Sequence, residues 1–218
     1  MRKRRQVALG VAGALALGWL LVPRPPLREG LAFSRAVFDR DGRLLRLTAA
    51  PDQRYRLWVP LSRIAPRLVE ATLLHEDRYF RFHPGVNPVS LLRGAMRTYL
   101  QGGRRVGGST LTMQLARIRY GIDSRTVGGK LHQVLRALQL ERHYSKQELL
   151  EAYLNLAPYG RNIEGVGAAS LVYFDKEAER LGLAESLALA VVPQSPSHRV
   201  PGDPARGLDQ ARAALTRR

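Results

Sequence analysis

Residues 66–88 read PRLVEATLLHEDRYFRFHPGVNP, and the rest of the chain is best understood outward from them. Pro66 suits the first turn of a helix, where its missing N–H is not needed. Leu68, Val69, Leu73 and Leu74 then recur at three-and-four spacing, the period of a helix with one apolar side. The pattern ends in His75-Glu76-Asp77, followed by Tyr79, Phe80, Phe82 and His83-Pro84-Gly85. A zinc-protease helix needs histidines four residues apart around a glutamate, and Tyr79 stands where the second would be. What remains is Glu76 beside Leu73, Leu74, Tyr79 and Phe80, an apolar setting that fits a carboxylate for general-base work. A helix-end carboxylate paired with Arg78 or Arg81 is the competing reading, and residue types alone leave both open.

Downstream, the punctuation stays helical. Asn87-Pro88 opens a helix toward Gly102-Gly103, and its apolar and arginine pattern over 89–100 serves a membrane surface or a core equally well. Gly107-Gly108-Ser109-Thr110 leads into another, whose free backbone N–H groups and hydroxyls make either an anion site or an ordinary cap. Gln114 and Arg117 share a face with Thr110, and no Walker-type lysine is present. Gly128-Gly129-Lys130 begins a polar stripe through Gln133, Ala137 and Glu141, which faces a cleft or, more commonly for such stripes, solvent. Ser145-x-x-Glu148 is a capping box opening Lys146 to Leu156, and Asp203-Pro204 opens the last helix. Upstream, Ala36 to Leu47 surrounds an Asp41-Gly42 hairpin signal, and Tyr55 to Val59 reads as a third strand. The predicted fold is mainly α with a small β element.

The amino terminus adds an anchor. Arg2 to Arg5 form a basic tail over 1–6, and residues 7–22 (VALGVAGALALGWLLV) carry no charge. Sixteen helical residues span about 24 Å, a little short of a hydrocarbon core of roughly 30 Å unless flanking residues snorkel. The expectation is one uncleaved transmembrane helix with a cytoplasmic N-terminus, a 23–34 linker begun by PRPP, and a 35–218 domain outside. In 218 residues there is no cysteine, which excludes disulfide scaffolds and thiolate metal sites. Lys and Arg number 35 against 18 Asp and Glu, a net charge of +17 that favours anionic partners. The arginines are scattered rather than striped, and the outward orientation leaves nucleic acid no access, so none is expected.

Taken together these blocks resemble glycosyltransferase family 51, the peptidoglycan glycosyltransferase domain of class A penicillin-binding proteins and monofunctional transglycosylases. The resemblance runs in order from about Arg35 to Leu215, through EDRYFRFHPGVNP (76–88), GGSTLTMQLAR (107–117), GGKLHQVLRALQLE (128–141), SKQELLEAYLNLAPYGRNIEGVGAAS (145–170) and PQSP (193–196). It implies a lysozyme-like, two-lobed, mainly α domain at the bacterial inner membrane. The reaction it implies is polymerisation of lipid II into β-1,4-linked glycan, with inversion and release of undecaprenyl diphosphate. Glu76 matches the family's catalytic base. Asp77, His83 and Gln133 match supporting positions. Ser109, Thr110, Gln114, Arg117 and Lys130 match donor or diphosphate binders, and Tyr153 and Asn155 match the cleft. The implied partners are lipid II, the lipid-linked glycan, the membrane and other cell-wall synthesis proteins; the implied cofactor is a divalent cation, Mg or Mn, with no organic group.

Some positions depart from the family pattern. Gln133 stands where a second glutamate is usual, and an amide cannot act as a base and ligates cations weakly. Arg117-Ile118 replaces Lys-Asn, and Pro158 replaces a frequent tyrosine. Gly129-Lys130-x-x-Gln133, Met113 and Ala157-Pro158 resemble the penicillin-binding protein 1C branch. Those proteins continue into a transpeptidase, whose Ser-x-x-Lys signature is missing here. The alternatives are a lysozyme-like lytic enzyme, a catalytically weak lipid II-binding scaffold, or a fragment of a bifunctional protein.

Overall fold

The computed structural model describes residues 21–92 and 108–194, with residues 18, 96 and 196. It is mainly helical: α1 (Pro66–Glu76), α2 (Leu111–Tyr120), α3 (Val127–His143), α4 (Lys146–Leu156), α5 (Val166–Phe174) and α6 (Leu183–Val191). Residues 88–92 are also helical, and the Asn87 side chain accepts from the Ser90 N–H as the Asn-Pro start predicts. The other starts follow their caps. Pro66 opens α1. Thr110 and Thr126 cap α2 and α3, and the Ser145–Glu148 capping box opens α4.

Helix α4 is the centre of the core. Leu149, Leu150 and the whole of Ala152 to Leu156 are buried, so nearly every side of the helix meets protein. α2 packs on both α3 and α4, while α1 packs on α6 through the stripe Leu68, Ala71, Thr72 and His75. The polar stripe of α3 lies against protein, contrary to the commoner expectation of solvent. Gln133 and Ala137 are buried and Lys130 is half-buried, because the glycine-led start of α3 lies beside the start of α2.

The β element has two parts. β1 (Arg35–Phe38) and β2 (Leu44–Thr48) pair antiparallel across the predicted Asp41-Gly42 turn, with Gly42 at φ 80° and Asp39 Oδ1 accepting from the Asp41 and Arg43 N–H groups. β3 (Tyr55–Arg56) stops short of the expected Val59 and pairs parallel with β4 (Ile163–Glu164). The reason is local. The Asn155 amide takes the place of a neighbouring strand, accepting from Val59 N–H and donating to Val59 C=O, both at 2.8 Å.

Of the predicted 7–22 span, only residues 18, 21 and 22 fall within the described residues, among which no helix is long and apolar enough to cross a membrane. The predicted helix at 203–204 and most of the 89–100 pattern also lie outside the described residues. The segment expected as a linker, however, is bound to the domain. Prolines 23, 25 and 26 have no N–H to offer, and the carbonyls of this extended run are met by side chains. His143 Nε2 lies 3.2 Å from Val22 O; Gln139 donates to Pro23 O, Tyr144 to Pro25 O, Tyr120 to Pro26 O and Arg119 to Leu27 O. Arg24 lies over the Tyr144 ring at 4.2 Å, and Leu27 enters the core.

Gly85 passes close against α3. Its φ is +87°, and a Cβ there would lie 2.6 Å from Glu141 Cγ and 3.0 Å from Ala137 O. Gly42 has a similar φ of +80° with open space around it. Gly85→Ala therefore costs strain plus a clash, about 2–3 kcal/mol, while Gly42→Ala costs strain alone, about 1 kcal/mol. Urea unfolding followed by tryptophan fluorescence checks the ordering; equal losses would show that the Gly85 contact relaxes freely.

Candidate active site

The site begins where α1 ends. Asp77 leaves helical geometry while its N–H still reaches Leu73 O, so Glu76 is the last side chain held by the helix and Asp77 the first directed by the loop. The Asp77 carboxylate accepts from Leu111 N–H at the start of α2, at 2.9 Å, and from His83 Nε2 at 2.9 and 3.0 Å. His83 Nδ1 accepts from Gly85 N–H, which makes Nε2 the protonated nitrogen and a donor to Asp77. Both side chains are buried, and they hold the 77–85 loop and α2 together.

Glu76 turns inward with its side chain 2% exposed. Its Oε2 accepts from Gln114 Nε2 at 2.8 Å, and the Tyr153 hydroxyl reaches Gln114 Oε1 at 3.5 Å. Burial, and then the negative charge of Glu76, push the Tyr153 and Tyr159 hydroxyls well above the ordinary tyrosine range. Both phenols therefore remain protonated. Arg78 and Arg81 are exposed. Those arginines line a groove of about 590 Å³ with Pro66, Val69 and Leu73.

A cationic side is built from α2 and α3. Lys130 Nζ donates to Ser109 Oγ at 2.6 Å and to Gln133 Oε1 at 2.9 Å, and Gln133 Nε2 donates to Met113 O at 2.6 Å. Among the described residues no carboxylate lies within ion-pair distance of Lys130 or of the exposed Arg117. Burial, reinforced by repulsion from Arg117, holds the Lys130 ammonium below the usual lysine pKa. Two cations near each other with no acid between them form a place for an anion.

Three expected residues serve differently from their predicted roles. Thr110 is buried, caps α2 and donates to Gly85 O, so of the Ser109-Thr110 pair only Ser109 meets Lys130. The helix N-terminus, which the sequence reads as either an anion site or an ordinary cap, gives its Leu111 N–H to Asp77. Asn155 is fully buried and holds the Val59 backbone rather than lining a cleft. Gln133 turns its oxygen to the Lys130 ammonium, and among the described residues no group of three His, Asp or Glu side chains is placed for a metal ion. The residues at position 133 thus do not fit the implied divalent cation.

Sequence reasoning missed the clamp beneath the loop. Lys146 Nζ donates to His83 O at 2.6 Å and Glu141 Oε1 at 2.8 Å, lies 4.5 Å over the Phe80 ring, and Glu141 also accepts from Thr112. Glu141 was visible as the far end of the α3 stripe, whereas Lys146 gave no signal beyond following a cap.

Residues 41–218 match the family model described as Transglycosylase. The chain belongs to the transglycosylase family. It is 45% identical over 168 residues to penicillin-binding protein 1C of Escherichia coli (strain K12), covering 77% of this chain and 22% of that protein. Against penicillin-binding protein 1A of Aquifex aeolicus (strain VF5) it is 34% identical over 220 residues, covering 96% of this chain and 30% of the relative. A crystal structure of penicillin-binding protein 1A from Haemophilus influenzae aligns with a TM-score of 0.43 at 22% identity, over 86% of this chain and 18% of that one. The chain thus spans less than a third of the length of these curated relatives.

In this transglycosylase domain, Gln133 tests the cationic side. Gln133→Glu loses the donor to Met113 O and sets a carboxylate against that carbonyl, costing about 1–3 kcal/mol. The new charge also pairs with Lys130 and lowers affinity for inorganic pyrophosphate roughly tenfold, about 1.4 kcal/mol. Chemical unfolding and calorimetric titration read the two effects. Unchanged values in both would remove the amide from the site.

Proposed function

We propose that this chain polymerises lipid II as a peptidoglycan glycosyltransferase in bacterial cell-wall synthesis. The observation that carries the reading is Glu76, a buried carboxylate held by Gln114, with the same helix α2 carrying Arg117 toward Lys130. Family membership and the ordered motifs support it further. The acceptor's GlcNAc 4-hydroxyl gives its proton to Glu76 as its oxygen attacks the donor's anomeric carbon. The bond from that carbon to the diphosphate breaks, and undecaprenyl diphosphate leaves with the electron pair, inverting α to β.

Each residue's part follows from its setting. Gln114 fixes the rotamer of Glu76, so the base is oriented before substrate arrives. Lys130 and Arg117 face the charge that grows on the leaving diphosphate, and a cation that gains its counter-charge only as the bond breaks favours the transition state over the bound substrate. The low pKa of a half-buried ammonium rises again once the diphosphate is beside it, which strengthens the same interaction. Ser109 holds Lys130 in place, and Tyr153 supports Gln114 from below.

The reading includes location. Residues 7–22 cross the inner membrane once with the basic tail inside, and the domain works outside as a lysozyme-like, two-lobed cleft over the bilayer. Net charge of +17 draws it to anionic headgroups and to the substrate diphosphate.

The test is polymerisation of labelled lipid II by the detergent-solubilised chain, resolved on a gel. Glu76→Gln lowers the rate by about 10²-fold or more, the range of general-base catalysis. Thermal unfolding of the variant stays near that of the parent. A ladder sensitive to muramidase in the parent also separates a polymerase from a lytic enzyme, which would instead shorten finished glycan. Polymer from Glu76→Gln at more than about a tenth of the parent rate would defeat the assignment.

A further inference from the structure

We propose that a cavity between the end of α2 and the β3–β4 pair binds one small free oxyanion, with inorganic phosphate as its simplest form, through Arg54 and Arg119. The cavity measures about 160 Å³. That is room for about five waters, and too little for a drug-sized ligand, whose pockets begin at roughly 300 Å³. Arg54, Arg56 and Arg119 line it with a single carboxylate, Glu164, and the rest of the wall is Leu31, Ile118 and Leu156. None of these residues belongs to the site beside Glu76, so the inference stands apart from the reading of Glu76 as the base.

The one carboxylate is already shared. Arg56, whose side chain is 4% exposed, donates Nε and Nη2 to Glu164 Oε2, and Arg54 Nη1 pairs with Glu164 Oε1. Asp52 also accepts from Arg56, but it is not part of the wall and its side chain is 43% exposed. Arg119 is held differently. Its Nε and Nη2 donate to the carbonyls of Leu27 and Glu29, and no carboxylate among the described residues pairs with it. Neutral carbonyls fix the guanidinium and leave its charge standing. Three guanidiniums therefore share one small space with one carboxylate, which favours an added anion.

Donors remain as well as charge. A guanidinium carries five N–H bonds. Arg56 has all three nitrogens engaged, so it supplies field rather than contacts. Among the described residues, by contrast, Arg54 Nε and Nη2 and Arg119 Nη1 have no acceptor. An oxyanion between them takes up these donors, and arginine meets such ions with paired, charge-assisted hydrogen bonds. Arg54 is half exposed, so the cavity is reached from solvent on its side. The bound ion joins the residue before β3 to the last turn of α2, and because only the folded chain offers both arginines, it stabilises the fold by mass action.

The test is calorimetric titration of inorganic phosphate, at constant ionic strength, into the detergent-solubilised full chain carrying Lys130→Gln, which removes the ammonium of the other anion site. One equivalent binds, and the thermal unfolding midpoint rises with phosphate. Adding Arg54→Gln or Arg119→Gln weakens binding about tenfold or more, as the loss of a hydrogen bond to a charged group requires. Arg43→Gln, which removes an exposed arginine of the hairpin turn, changes it by less than about twofold, since distant surface charges are screened. Arg54→Gln keeps the test open if Arg119→Gln, which also releases the Leu27 and Glu29 carbonyls, unfolds. Equal weakening by Arg43→Gln and Arg54→Gln would show attraction to a basic surface and overturn the site. Phosphate that does not bind, or does not saturate at one equivalent, overturns it too. Short-chain phosphatidylglycerol leaves the phosphate bound; displacement by that lipid would overturn the assignment to a free ion.

Discussion

The Asp77 carboxylate is the constraint on which this structure turns. It accepts from the first N–H of α2 and from the His83 imidazole, so one side chain joins the end of α1, the 77–85 loop and the start of α2. A carboxylate at a helix N-terminus is favoured by the exposed N–H groups and the dipole there. Hydrogen bonds to a charged group contribute about 1.5–3 kcal/mol each. Glu76 is the preceding residue, so fixing Asp77 to α2 also fixes how Glu76 approaches Gln114, one turn into that same helix. Adjacent acids thus divide the work: the one that leaves the helix builds the junction, and the one that stays within it is carried to the site.

The junction needs its own support from below. Lys146 and Glu141 meet under the loop, and Lys146 holds the His83 carbonyl while covering the Phe80 ring. Gly85 allows the loop to pass against α3 where a side chain would collide with Glu141 and Ala137. Since α4 starts at Lys146 and carries Tyr153 two turns later, the clamp and the floor of the site belong to one helix. The loop, Glu76 and the Gln114 amide are thus tied to one framework.

Much of this was legible in the sequence because it is local. Pro66, Asn87-Pro88 and the Ser145–Glu148 box mark helix starts with chemistry that acts within four residues, and the Asp41-Gly42 turn does the same for the hairpin. Distant pairings were not legible. The parallel contact of Tyr55–Arg56 with Ile163–Glu164 joins segments over a hundred residues apart, and the Asn155 amide that ends the third strand early gives no signal in the strand itself. Thr110 shows the ambiguity most clearly. A hydroxyl at a helix start caps or binds an anion by the same geometry, and only the placement of Gly85 and Asp77 decides that this one is spent inside.

The same division accounts for the charge. Asp77, Glu141, Glu151 and Glu164 are all engaged internally: Glu151 holds the Trp58 indole and Leu61 N–H, and Glu164 pairs with the buried Arg56. Acids used this way cannot neutralise the surface. The formal charge of +17 counts these acids too, and at Lys130 hydroxyl and amide oxygens stand where carboxylates could. Neutral oxygens hold an ammonium in position without cancelling its charge. Replacing them with a carboxylate would cancel that charge and weaken the site for an anion, so the uncompensated ammonium is the arrangement that favours an anionic ligand.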